Sequence, residues 1–93
     1  MLTINNINKV YKRDVGEWRI GKVLPGERAY VFILFNPTGE RLNVNLERDE
    51  INGIYELWYK NKRTNKKETI MITSGHLASP DKMVSIIKIL ITQ

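Results

Sequence analysis

The chain has 93 residues, enough for one domain with one core and little left over for a deep catalytic cleft. It carries 15 Lys and Arg against 10 Asp and Glu, a formal net charge of +5, and it has no cysteine, which excludes disulfides and thiolate metal sites. No basic segment leading into a long apolar stretch opens the chain, and no apolar run approaches the ~18 residues of a membrane helix, so the expectation is a water-soluble, cytoplasmic protein with no membrane partner.

Taken in chain order, the pattern is period two with turn punctuation, the signature of short antiparallel strands. Residues 7–12 read as a weak first strand, so that 1–14 form an N-terminal strand or arm. Residues 17–24 alternate Trp18, Ile20 and Leu24 against Glu17, Arg19 and Val23. Leu24-Pro25-Gly26-Glu27 is a turn, because proline fixes φ and glycine accepts a positive one.

The clearest strand is 28–36. Ala29, Val31, Ile33 and Phe35 point one way and Tyr30, Phe32 and Leu34 the other, so it should be central and covered on both faces. Asn36-Pro37-Thr38-Gly39 is the next turn. In 41–47, Leu42, Val44 and Leu46 go inward while Arg41, Asn43, Asn45 and Glu47 face water. After a polar connection over 48–53, residues 54–60 place Tyr55, Leu57 and Tyr59 on one face. Ile54, Glu56, Trp58 and Lys60 take the other.

Residues 61–67 read as a basic loop, 68–73 as a strand with Ile70 and Ile72 inward, and 74–82 as a longer connection. The last segment, 83–92, carries two signals. Ser79-Pro80-Asp81 is a good helix start, whereas Val84, Ile86, Ile87, Ile89, Ile91 and Thr92 are β-branched and favour a strand. Propensity tips the expectation to a strand. The fold class expected is therefore all-β, an antiparallel β-sandwich of about seven to eight short strands in a single domain over 1–93.

Catalytic chemistry has little to stand on. His76 is the only histidine, lies in Ser74-Gly75-His76, and has no nucleophile elbow to complete a triad. It reads as an exposed loop histidine. Asp49 and Glu50 are adjacent in a polar connection and read as a solvated turn rather than an acid and base pair. No metal-ligand spacing and no phosphate-cradling glycine string is present, so no catalytic, cofactor or metal residue is assigned.

Two features stand out as binding candidates. Lys60, Lys62, Arg63, Lys66 and Lys67 fall within eight residues, directly after Trp58 and Tyr59. Cations beside aromatics are what a phosphate backbone and stacked bases require, although a hairpin tip also collects charge to protect a sheet edge. Trp58 shares the polar side of its strand with Glu56 and Lys60, where a tryptophan is either ordinary surface apolarity, part of a second covered face, or a contact site. Trp18 and Tyr59 are the other candidate platforms for a partner or a sugar ring.

From residue 15 onward the order of features resembles the C-terminal antiparallel β-sandwich of α-galactosidases and related retaining glycoside hydrolases. The parts that carry the resemblance are Glu17-Trp18-Arg19-Ile20-Gly21-Lys22 and Pro25-Gly26-Glu27, then Tyr30-Val31-Phe32-Ile33-Leu34-Phe35-Asn36-Pro37. Leu42-Asn43-Val44-Asn45-Leu46, Glu56-Leu57-Trp58, Ile70-Met71-Ile72 and Val84-Ser85-Ile86-Ile87-Lys88-Ile89 follow. The family usually has aspartate where Glu56 stands, and often a proline-histidine step where this chain has Ala78-Ser79-Pro80-Asp81.

In that family the nucleophile and the acid/base are aspartates of a separate β/α barrel, so the resemblance implies a non-catalytic accessory module over 15–93. Its partner would be such a barrel or a second copy of the chain. The initial methionine fits either a separate small gene product or a fragment of a split enzyme. Nucleic-acid binding through residues 60–67 and carbohydrate binding through Trp18, Trp58 or Tyr59 are the alternatives.

Overall fold

The computed structural model describes residues 9–25, 29–49, 54–73 and 79–92. They form six strands and one helix: β1 (Asp14–Val15), β2 (Trp18–Pro25), β3 (Ala29–Phe35), β4 (Arg41–Asp49), β5 (Ile54–Asn61), β6 (Lys66–Ile72) and α1 (Pro80–Ile91). The strands make a single sheet in sequence order, each antiparallel to the next. This is the simplest topology that short turns allow. The sheet is curled into a half-barrel, and α1 packs on β1, β5 and β6, spanning its two ends.

The mostly β character expected from the period-two pattern is present. The second layer is not a second sheet. Among the described residues the sheet has six strands rather than seven or eight, and the helix takes the place of the opposing sheet. Residues 9–12, read as part of a first strand, form turns instead, and residues 7–8 lie outside the described residues. Lys12 adopts a positive φ, and its N–H donates to the Ile20 carbonyl at 2.8 Å, which holds the turn against β2.

The strand expected over 83–92 is α1, and the reason is local as well as tertiary. The Ser79 hydroxyl accepts from the Lys82 N–H, Pro80 sits at the helix start, Asp81 lies in the first turn and Lys88 in the last. The buried positions Met83, Ile86, Ile87 and Leu90 follow the i, i+3, i+4, i+7 rule of one helix face. The β-branched residues cost at most about 0.7 kcal/mol each in a helix, whereas burying one large aliphatic side chain returns about 1.5–3 kcal/mol. Burial outweighs propensity. The exposed pair Arg13–Asp81 ties the turn before β1 to the start of the helix.

The core lies between the concave face of the sheet and α1. Ile20, Phe32, Leu34, Val44, Leu46, Leu57, Ile72, Ile87 and Leu90 are essentially sealed from water, with Tyr30, Tyr55 and Tyr59 beside them. The inward sets read from β4 and β5 are found as expected, and of the two apolar sets of β3 it is Tyr30, Phe32 and Leu34 that face the core. β2 departs from its pattern, because the pairing with β3 runs Ile20↔Leu34 and then Lys22↔Ile33, leaving Gly21 as an extra residue. The bulge shifts the phase. Val23 turns toward the core, and Leu24, expected inward, is 46% exposed.

Gly21 also gives the outer face its shape. A Cβ there would stand 2.5 Å from the Phe35 ring, so the missing side chain is the seat on which that ring lies. The second apolar face of β3 is thus covered in part by the chain itself: Ile33, between Lys22 and Asn43, is only 3% exposed, while Phe35 remains 37% exposed. At the next turn Gly39 has a positive φ, and its N–H donates to the Asn36 carbonyl, as the Asn36-Pro37-Thr38-Gly39 reading expects.

Candidate functional site on the outer face of the sheet

The outer face carries cross-strand rows whose chemistry changes along the strands. One row runs Ala29, Glu47, Glu56, Met71. The next runs Leu24, Val31, Asn45, Trp58, Thr69. Beyond it come Lys22, Ile33 and Asn43, with Lys60 opposite Lys67 on β5 and β6. Acids therefore gather on one side of Trp58 and cations on the other.

Trp58 is fixed from both sides. Its indole Nε1–H donates to Glu47 Oε1 at 3.1 Å, and Lys67 Nζ stands 4.7 Å from the ring centroid. Lys67 also pairs with Glu56 Oε1 at 2.8 Å, and the Thr69 hydroxyl donates to the same oxygen. Glu47 and Glu56 lie directly opposite each other, a pairing that like charges disfavour. The donors from Trp58, Thr69 and Lys67 offset that repulsion and anchor the acidic row to the chain itself.

On the basic side lies an open groove of about 700 Å³. Trp58 forms one wall, and Arg41, Lys60 and Lys62 supply charge while Asn43 and Asn45 supply amides; none of its described lining residues is acidic. Asn65 completes it at the β5–β6 turn. That turn is well determined: Asn61 Oδ1 accepts from the Arg63 and Thr64 N–H groups, Asn65 N–H donates to the Asn61 carbonyl at 2.7 Å, and Asn65 takes a positive φ. Lys62 Nζ donates to the Arg41 carbonyl at the end of the groove.

The residues singled out in the sequence are thus sorted rather than gathered. The basic loop expected over 61–67 is only a four-residue turn, and Lys66 and Lys67 belong to β6. Lys60 and Lys67 share the outer face. Lys66 pairs with Asn61 and projects from the opposite face, so it joins neither the groove nor the Trp58 cluster. Arg63 is exposed on the turn, facing the open end of the curl with Trp18 and Tyr59. Trp18 and Tyr59 sit on the concave side and do not share a surface with Trp58. Tyr59 is buried, and its phenol is pushed above the usual 10, first by burial and then by the Glu68 carboxylate, against smaller opposing effects of Arg63 and Asn61.

Arg41, Asn43, Asn45 and Glu47 are legible in the sequence only as the water-facing side of a strand. Their partnership with Trp58 comes from the β4–β5 register, Asn45↔Trp58 and Glu47↔Glu56. His76 and Glu50 lie outside the described residues, as does the side chain of Asp49. Among the described residues no helix is long and apolar enough to cross a membrane, and no cluster of His, Cys, Asp or Glu could hold a metal ion. No family model matches the chain, and no curated protein and no solved structure matches it either.

Proposed function

We propose that the protein is a non-catalytic binding module that takes single-stranded nucleic acid on the outer face of its sheet. The observation that carries this reading is the groove beside Trp58, which combines an aromatic wall, three cations, three amides and, among the described residues, no acidic lining residue. Arg41, Lys60 and Lys62 would hold phosphates, a base would stack on the indole, and Asn43 and Asn45 would meet base edges.

The test is direct binding of labelled single-stranded DNA and RNA oligonucleotides, with duplexes as a comparison, over a range of salt. Three phosphate contacts predict a log–log salt slope of roughly −2 on single strands. Trp58→Ala should cost about 1–3 kcal/mol of affinity, the contribution of one stacked base. No binding to any single strand at low salt overturns the proposal. A response to oligosaccharides without one to nucleic acid would instead favour a carbohydrate module.

A second reading is the accessory module similar to a glycosidase C-terminal domain, docked on a barrel or on a second copy. The exposed side chains of Leu24 and Phe35 on the outer side of β2 and β3 favour it, since both are apolar and Leu24 pairs with the half-buried Val31. Its test is the oligomeric state at micromolar concentration, with Phe35→Ser as the disrupting variant.

A further inference from the structure

At the end of the sheet where β4 begins and the β5–β6 turn reverses, the curl opens into a second hollow of about 220 Å³. Trp18 and Tyr59 line it from the concave side, Arg41, Lys62 and Arg63 from the rim, and Glu40 from the strand entry. Three cations face one carboxylate there, and that carboxylate already accepts from the Thr38 hydroxyl. Arg41, Leu42 and Lys62 line both this hollow and the outer groove. The Lys62 ammonium bonded to the Arg41 carbonyl joins the two sides of the rim. An aromatic therefore stands on either side of a shared cationic edge, Trp58 outside and Trp18 inside.

We infer that groove and hollow are one continuous track for a single strand. The strand stacks a base on Trp58, carries its backbone over Arg41 and Lys62, and places an adjacent nucleotide in the hollow against Trp18, with Arg63 as the cation for the next phosphate. This rests on the reading of the outer face given above. It adds a second subsite, a minimum length of ligand, and a role for Trp18 and Arg63, which the outer groove alone leaves unused. Site sizes of about four nucleotides or more are usual for sheet surfaces that bind a single strand in this way.

The chain has two tryptophans, so each can be watched alone. Trp58→Phe leaves Trp18 as the sole indole, and Trp18→Phe leaves Trp58. Both variants are titrated with a thymidine dinucleotide and a thymidine octanucleotide, following tryptophan emission, and octamer affinity is measured separately by anisotropy. The expected result is that Trp58 responds to both oligonucleotides and Trp18 to the octamer alone. Arg63→Ala should weaken the octamer several-fold, lower its salt slope by roughly 0.7, and leave the dinucleotide unchanged.

If the octamer binds and moves Trp58 while Trp18 stays silent and Arg63→Ala is neutral, the track is overturned and the outer-face reading stands. If no oligonucleotide binds the unmodified protein, the outer-face reading itself fails. Trp18 packs against the core, so where Trp18→Phe lowers stability the deciding variant is Arg63→Ala, at an exposed turn position.

Discussion

The two faces of the sheet are built from the same strands and obey different rules. The centre of the concave face is apolar, closed by α1, and holds Phe32, Leu34, Leu46 and Leu57 away from water. The outer face holds Trp58, Glu47, Glu56 and Lys67 in polar contacts, with an open groove lined by Lys60 beside them. Buried apolar packing is concentrated on one side and charged and polar groups on the other. A half-buried antiparallel sheet makes this division natural, since alternate residues serve alternate faces.

The largest test of that contrast sets Phe32→Ala against Trp58→Phe. Phe32 is fully buried, so its truncation should cost about 3–5 kcal/mol in denaturant unfolding. Trp58→Phe, on the outer face, should cost under about 1 kcal/mol. Equal losses would mean that the outer face is part of the core. Next comes the closure of the concave face. Ser79→Ala removes the helix cap and should cost about 1 kcal/mol, read as a lower denaturant midpoint with loss of helical ellipticity.

A smaller effect is expected from Glu47→Gln. It keeps an acceptor for the Trp58 N–H, so stability should change by less than about 0.5 kcal/mol. Affinity for a single strand should rise, because a negative charge beside the groove is removed. A fall in affinity would break the division between acidic and basic sides.

The smallest effect at neutral pH concerns Tyr59. Its phenol is raised above 10 by burial and by Glu68, so the neutral form is favoured in the folded state. The contribution to stability is fully present below the unfolded value near 10 and is lost as pH rises through the folded value. Spectrophotometric titration should show Tyr59 ionising above the usual phenol value, and Tyr59→Phe should flatten the alkaline loss of stability.

Much of the fold is legible from alternation. The inward residues of β3, β4 and β5 follow from period two, and the turn at Asn36 to Gly39 follows from proline and glycine chemistry. Two departures have physical causes. The bulge at Gly21 moves Val23 inward and Leu24 outward, because one extra residue shifts every later side chain to the other face. Propensity alone makes the last element a strand, although the cap at Ser79 and the spacing of Met83, Ile86, Ile87 and Leu90 both carry a helix. Weak per-residue preferences yield to the burial of four aliphatic side chains.

For the site, the ingredients can be read along the chain. The sequence places Trp58, Glu56 and Lys60 on one face of their strand and provides the chain's excess of positive charge. Which of them meet depends on how the strands align in the folded sheet. Register put Asn45 beside Trp58 and Glu47 opposite Glu56, and the tight turn sent Lys66 and Lys67 to opposite faces. The folded sheet also kept Trp18 and Tyr59 on the concave side, apart from Trp58. Alternation is a property of one strand and can be counted along the chain. Register depends on how two strands align, and that is set by turns and by the shared core rather than by any strand alone.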